Sequence, residues 1–215
     1  MLTAAVERAP GVELRRGAEV TGVTADGDGV TLTVRDRDGG ADRSVRAAAI
    51  LGCDGANSTV RGLIGARMRD LGPADRWLVL DVRSSVPLPI WPGVTQVCDP
   101  ARAATVMPVT GDRYRWEFRL APGETAADLT TAAALRRLLA PVDPSAVELV
   151  RAVEYTFRAQ VADRWRSGRV LLAGDAAHLT PPFVGQGLGL GLRDVHQLSW
   201  KLAAVLAGEA GADLL

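Results

Sequence analysis

Arg169-Val-Leu-Leu-Ala-Gly-Asp-Ala-Ala-His178 runs directly into Leu179-Thr-Pro-Pro-Phe-Val-Gly-Gln-Gly187, and this stretch decides the fold. Val170 to Ala173 is a short, unbroken apolar run, the pattern of a buried strand, and it ends in Gly174-Asp175. A strand is expected over 169–174, a Pro-Pro loop over 175–187, and a helix from about Leu188 to Leu206. The helix carries Val195, Leu198, Leu202 and Val205 at spacings of three and four, one apolar face. Gly208 is placed to stop it. This order sets a carboxylate at a strand end beside a helix N-terminus, an arrangement that suits a large, polar, partly anionic cofactor.

Each part of the stretch has a chemical and a plain structural reading. Asp175, after Gly174 at the strand's C-terminal end, can accept hydrogen bonds from sugar hydroxyls; the plain alternative is a surface turn. Gly185-Gln186-Gly187 allows positive φ and close backbone approach where the helix begins, and the helix start exposes unpaired N–H groups. The alternative is a glycine turn that only permits tight helix packing. The run Gly185, Gly187, Gly189, Gly191 does not satisfy GxGxxG. Pro181-Pro182 stiffens the loop, as cofactor wall or as simple brace. His178 is read as a hydrogen-bonded histidine at a strand–loop junction rather than a base, and His196 as structural.

A second segment has the same logic. Ala48-Ala-Ile-Leu-Gly52 leads to Cys53-Asp54-Gly55, so Asp54 also falls at a strand end. Asn57-Ser58 can cap a helix starting near Thr59, and Arg61 lies within reach of a phosphate or of Asp54 itself. A strand–cap–helix junction with a local ion pair is the alternative.

Outward from these motifs the chain reads as mixed α/β, of the α+β kind. Residues 2–9 suit a short helix ended by Pro10-Gly11. Strands are expected at Val12–Leu14, Ala18–Val23, Val30–Arg35 and Val45–Leu51, a β-meander divided by turns at Asp26–Gly29 and Asp38–Gly40. In the middle, Trp77–Val82, Ala104–Val109, Tyr114–Leu120 and Val147–Val161 read as strands, and Ala126–Leu139 as one helix. Residues 76–160 therefore form a mostly antiparallel second domain inserted between two parts of the first, 1–75 and 161–215.

Composition narrows the function classes. Lys and Arg number 25, Asp and Glu 25, and no basic block or acidic tail stands out, so nothing points to nucleic acid. The hydrophobic share of 47% and charged share of 23% suit a globular protein with a real core. No apolar run is long enough to span a membrane, and the first residues lack the pattern of a signal peptide. Cys53 and Cys98 have no metal-ligand spacing and are expected to be reduced, buried thiols in a cytoplasmic protein. No metal site is expected.

The Asp54-Gly55 and Gly174-Asp175 motifs together resemble the fingerprints of the FAD-dependent aromatic hydroxylases, the class A flavoprotein monooxygenases. Gly185 to Leu202, Gly-Gln-Gly-x-x-x-Gly-x-x-Asp-x-x-x-Leu-x-Trp-Lys-Leu, is similar to the helix of the phenol and polyketide hydroxylase subgroup. The resemblance implies FAD, reduced by NADH or NADPH, and O₂ as oxygen donor to a phenolic or polyketide-type aromatic ring. By position, Asp175 would hold the FAD ribose, with Gly174 beside it. Pro182, Gly185, Gln186 and Gly187 would border the isoalloxazine, and the helix start would favour its reduced, anionic form. Asp54, Gly55 and Arg61 would lie near the pyrophosphate. Residues 1–75 and 161–215 would be parts of the FAD-binding domain, and 76–160 the substrate domain. No residue is marked as catalytic.

The departure from the family is at the start. Members carry a strand–turn–helix with GxGxxG and an acidic ribose ligand, and this chain holds neither. A companion chain supplying that unit is one expectation. The other is a fragment, a non-catalytic remnant or a partner-dependent subunit in which the motifs persist as fold elements.

Overall fold

Turn chemistry shapes the first sheet. The computed structural model describes residues 2–182 and 185–215. Phe183 and Val184, within the loop expected over 175–187, and Met1 lie outside the described residues. After α1 (Leu2–Arg8), β1 (Ala18–Ala25), β2 (Val30–Asp36) and β3 (Arg43–Ala47) form an antiparallel sheet in that order. The Asp26 carboxylate accepts the amides of Asp28 and Gly29 at 3.0 and 2.9 Å, closing the β1–β2 turn. Val12–Leu14 does not form the expected strand. It is exposed, and Gly17 at φ +69° redirects the chain immediately before β1.

The strand expected over Val45–Leu51 is two strands. β3 ends at Ala47, opposite Val30, the first residue of β2, so pairing stops there. The chain then crosses to β4 (Ile50–Gly52), in a different sheet. α2 (Thr59–Leu63) starts at Ser58, whose hydroxyl accepts the Arg61 amide as an N-cap, and β5 (Met68–Asp70) follows.

The chain divides into two units, residues 1–71 with 159–215, and residues 72–158. The second unit holds β6 (Asp75–Arg83), β7 (Thr95–Val97), β8 (Ala104–Thr110), β9 (Arg113–Arg119) and β10 (Glu148–Phe157). They pair antiparallel in the order β10-β6-β9-β8-β7. Alternation along β6 and β9 sends Leu78, Leu80, Val82, Trp116 and Phe118 to one face, where they pack with Leu129, Leu139 and Val142. The helix expected over Ala126–Leu139 breaks into α3 (Ala126–Leu129) and α4 (Ala132–Leu138). Thr131 caps α4 by accepting the Ala134 amide, and Thr130 turns its hydroxyl back on the Ala126 carbonyl. Two adjacent threonines thus compete with the helix backbone and divide it.

The expected strand over Val147–Val161 also divides, because β10 stops at Phe157 and the chain returns to the first unit. There β11 (Gln160–Ala162) pairs with β5, and β12 (Arg166–Ser167) precedes β13 (Val170–Leu172), which is wholly buried. β13 lies between β12 and β4, antiparallel to the first and parallel to the second. After a 3₁₀ turn over Gly174–Ala176, β14 (His178–Leu179) joins β11. The core of this unit gathers Val30, Ile50, Val60, Ala66, Ala162, Val170, Leu172, Ala176 and Ala177.

The last helix, α5 (Gly187–Leu206), ends where Gly208 adopts φ +76° and donates its amide to the Val205 carbonyl at 3.2 Å. Of its expected apolar face, Leu198, Leu202 and Val205 are half-buried and Val195 is exposed. The fold class is α/β of the α+β kind, with helices, antiparallel sheets and one parallel pair. Among the described residues no helix is long and apolar enough to cross a membrane, and no cluster of His, Cys, Asp and Glu could hold a metal ion. Cys53 and Cys98 are free thiols, but both are exposed rather than buried. Each follows the end of a short strand and so escapes the core.

Candidate functional site

Parallel pairing of β4 with β13 brings the two strand-end motifs side by side. Leu172 stands opposite Gly52, and the Ala173 amide donates to the Gly52 carbonyl at 3.0 Å. Asp54 and Asp175 therefore both follow the C-terminal ends of neighbouring parallel strands, where ligands of open α/β sheets bind.

The two carboxylates are used differently. Asp54 accepts the Ser58 hydroxyl at 2.5 Å and the Val60 amide at 3.0 Å, which ties it to the start of α2. Burial pushes its pKa up, but the bonds from Ser58 and the backbone outweigh that and hold it below the usual value. Asp175 is exposed, and no side-chain hydrogen bond reaches it among the described residues. Arg61 forms no ion pair with Asp54. Its guanidinium donates to the Ala56 carbonyl at 2.8 Å and the Ala176 carbonyl at 3.1 Å, lacing one motif to the other.

Glycines set the close approach between the turn and α5. Gly174 has φ +60°, a conformation that favours glycine. A Cβ on Gly191 would lie 3.3 Å from the Gly174 Cα, so a larger residue there would push the helix and the turn apart by a few tenths of an ångström. Gly55, at φ +80°, faces open space. The result is a cavity of about 500 Å³, lined by Cys53, Gly55, Ala173, Gly174, Asp175, Gly187, Leu188, Gly191, Leu192 and Val195. It has Asp175 at its rim, backbone rather than side chains along one wall, and aliphatic side chains of α5 along another.

Gly185, at φ +63°, receives its position from a bond of its amide to the Pro182 carbonyl at 3.0 Å. Gln186 is the N-cap of α5 but makes no side-chain cap bond, and no acidic residue occupies the first turn. Gly187, the first residue of this 20-residue helix, lines the cavity and so brings the positive end of the helix to it. Of the sequence-predicted residues, Gly55, Gly174, Asp175 and Gly187 line this cavity; Asp54, Arg61, Pro182, Gly185 and Gln186 do not.

Asp194 had no role assigned from the sequence. Its Oδ2 accepts the Gly174 amide at 2.9 Å and meets His178 Nε2 at 2.6 Å. The signal was its spacing: Gly187, Gly191, Asp194 and Leu198 share a helix face at steps of four, three and four. His178 is accordingly hydrogen-bonded, as expected for its junction, and its ring stacks on Trp165 at 5.3 Å.

The arrangement was compared with known proteins. The family model described as "FAD binding domain" matches residues 1–215. The 3-(3-hydroxy-phenyl)propionate/3-hydroxycinnamic acid hydroxylase of Klebsiella pneumoniae (strain 342) is 41% identical over 212 residues, covering 98% of this chain and 38% of that protein. A probable NADH-specific resorcinol 4-hydroxylase of Rhodococcus jostii (strain RHA1) is 40% identical over 201 residues, covering 93% and 38%. Among solved structures, aklavinone-11 hydroxylase, in ternary complex with FAD and aklavinone, superposes with a TM-score of 0.76 at 32% identity, over 94% of this chain and 40% of that one. The chain thus spans 38% of the length of these two curated relatives.

Proposed function

The chain belongs to the FAD-binding-domain family, and from that premise we propose that its Gly174–Asp175 turn and the start of α5 form part of the FAD site of an aromatic-ring monooxygenase. The substrate is a phenolic or polyketide-type aromatic, the electron donor NADH or NADPH, and the oxygen donor O₂. The observation that carries the reading is the glycine-to-glycine approach of Gly174 and Gly191, which leaves a backbone-walled cavity with an uncommitted carboxylate at its rim.

The residues present fit the cofactor. Asp175 accepts hydrogen bonds from sugar-chain hydroxyls. The N-terminus of α5 favours negative charge by about 0.3–1 kcal/mol, and more where water is excluded. Leu188, Leu192 and Val195 supply an apolar wall that limits water. Gly187 permits close approach, with Pro182, Gly185 and Gln186 leading the chain into it, and Asp54 and Arg61, outside the cavity lining, brace the loop that carries Gly55 to the cavity. FAD, when bound, supplies the redox and oxygen-transfer chemistry. Residues 1–75 and 161–215 act as parts of the FAD-binding domain and 76–160 as the substrate domain. The two free cysteines suit a reducing compartment, the cytoplasm.

The test is a titration of the 215-residue chain with FAD, following flavin fluorescence and the visible spectrum, for the wild type and Asp175→Ala. Saturable binding with a shifted spectrum is expected, weakened about tenfold in the variant, which corresponds to the loss of about one charge-assisted hydrogen bond. NADH or NADPH oxidation with phenols follows from a positive result.

A second reading, a subunit whose flavin site is completed by a companion polypeptide carrying GxGxxG, is favoured by two observations. β4 has no partner on its outer side among the described residues, and Leu188 and Leu192 on α5 are 76% and 59% exposed. Failure of a folded chain to bind FAD alone, with binding recovered when such a polypeptide is added, selects this reading over the first.

A further inference from the structure

The turn from Gly174 to His178 is held from both sides, and neither hold uses Asp175. From the Asp54 side, Arg61 donates to the Ala176 carbonyl at 3.1 Å. From α5, one oxygen of Asp194 takes both ends of the turn: the Gly174 amide at 2.9 Å and His178 Nε2 at 2.6 Å. Gly174 lies past the last pair of the β13–β4 ladder, Leu172 with Gly52, so its N–H needs an acceptor from elsewhere. Gly191 lets α5 come close enough for the next residue on the same face, Asp194, to provide one. The pair is well shielded, with the His178 and Asp194 side chains 13% and 20% exposed, and Trp165 stacks on the His178 ring.

Fixing both ends of so short a turn leaves its middle little freedom. Asp175 is in that middle, exposed at the cavity rim and without a hydrogen bond among the described residues. The Gly174 amide and the Ala176 carbonyl on either side of it are bonded within the protein, so the backbone that carries the carboxylate is held while the carboxylate itself stays available.

We propose that Asp194 is a positioning residue, whose Oδ2 clasps the Gly174 amide and the His178 ring and so holds the Asp175 carboxylate in the orientation that accepts the flavin's sugar-chain hydroxyls. This deepens the FAD reading above and rests on it. Asp194 is not among the residues that line the cavity; it acts through the geometry of the turn. Preorganisation of this kind raises affinity because the ordering of the turn is completed before the ligand arrives.

Asp194→Ala and Asp194→Asn separate positioning from mere packing. Asparagine keeps an oxygen that can accept from the Gly174 amide and from a neutral His178 Nε2–H; alanine keeps neither. Two readouts are made on the 215-residue chain. Without flavin, NMR follows amide exchange at Gly174 and the ring nitrogens of His178. With flavin, the FAD titration is repeated. Asp194→Ala is expected to speed Gly174 exchange and weaken FAD about tenfold, and Asp194→Asn to recover most of both. The double variant with Asp175→Ala should bind no more weakly than Asp175→Ala alone, because Asp194 works only through Asp175.

Unchanged FAD affinity in Asp194→Ala, with Asp175→Ala still impaired, overturns the clasp and leaves the FAD reading intact. Additive losses in the double variant also overturn it. No saturable binding by the wild-type chain overturns the FAD reading and the role given to Asp194 with it. Should Asp194→Ala not fold, His178→Phe takes its place, removing one of the two bonds. About a threefold weakening is then expected, from a bond worth roughly half as much, and none if the proposal is wrong.

Discussion

Apolar side chains meet opposite fates in two regions of the molecule. In residues 72–158, the inward face of the sheet buries Leu78, Leu80, Val82, Trp116 and Phe118 beneath α3 and α4. Along α5, no residue is fully buried, and Leu188, Leu192 and Val195 are exposed where they line the cavity. The inserted unit uses its apolar residues to close its own core. The other places them where a ligand or a partner has access. Residues that line a cavity cannot also fill one, so a binding region forgoes burial that a structural region keeps.

The comparison can be broken by substitutions, and the largest effect belongs to the inserted sheet. Leu80 is fully buried there, and Leu80→Ala should cost about 2–5 kcal/mol, read as a lower midpoint in urea. A loss below about 1 kcal/mol would mean that this core is not the closed one described.

Charge contributes less than burial in the same unit, and acid titration sharpens that point. Arg102 grips Glu124 with two bonds of 2.8 and 2.6 Å, and this pairing lowers the Glu124 pKa from 4.5 to about 2, helped by the Ala121 amide. A folded-state pKa below the unfolded one means a contribution fully present above 4.5 and lost as pH falls towards 2. Screening by solvent reduces it to roughly 1 kcal/mol. Glu124→Gln should therefore flatten stability against pH in that window, and an unchanged slope would remove the pair from the account.

The smallest expected effect is on α5. Leu192→Ser should change stability by no more than about 0.5 kcal/mol, since the side chain is already 59% exposed. The same variant should weaken FAD or companion binding. A large destabilisation without any binding defect would show that α5 is a core element after all, and the contrast between the two regions would fail.

Much of the frame was legible residue by residue. Ser58 caps α2, the turns at Asp26–Gly29 and Asp38–Gly40 separate the meander strands, and Gly208 ends α5. These signals act over a few residues and need no knowledge of the rest of the chain. Strand lengths were less legible. Val45–Leu51 and Val147–Val161 are each continuous in composition, yet each is shared between two sheets, because a strand ends where its partner ends. The break at Thr130–Thr131 was visible in principle, since both hydroxyls compete for the helix backbone.

The site divides in the same way. By itself the sequence determined that two carboxylates stand at strand ends, that a glycine-rich segment opens a long helix, and that the chain resembles flavin-dependent hydroxylases, because these depend on local order and periodicity. Only the tertiary structure decided that Asp54 serves α2 while Asp175 stays available, that Arg61 laces two carbonyls 120 residues apart in sequence to each other (Ala56 and Ala176), and that Asp194 grips the turn. Those outcomes depend on the parallel pairing of β4 with β13 and on the approach of Gly191 to Gly174. Hydrogen bonds need atoms within about 3 Å, and which distant residues come that close is settled by how the elements pack.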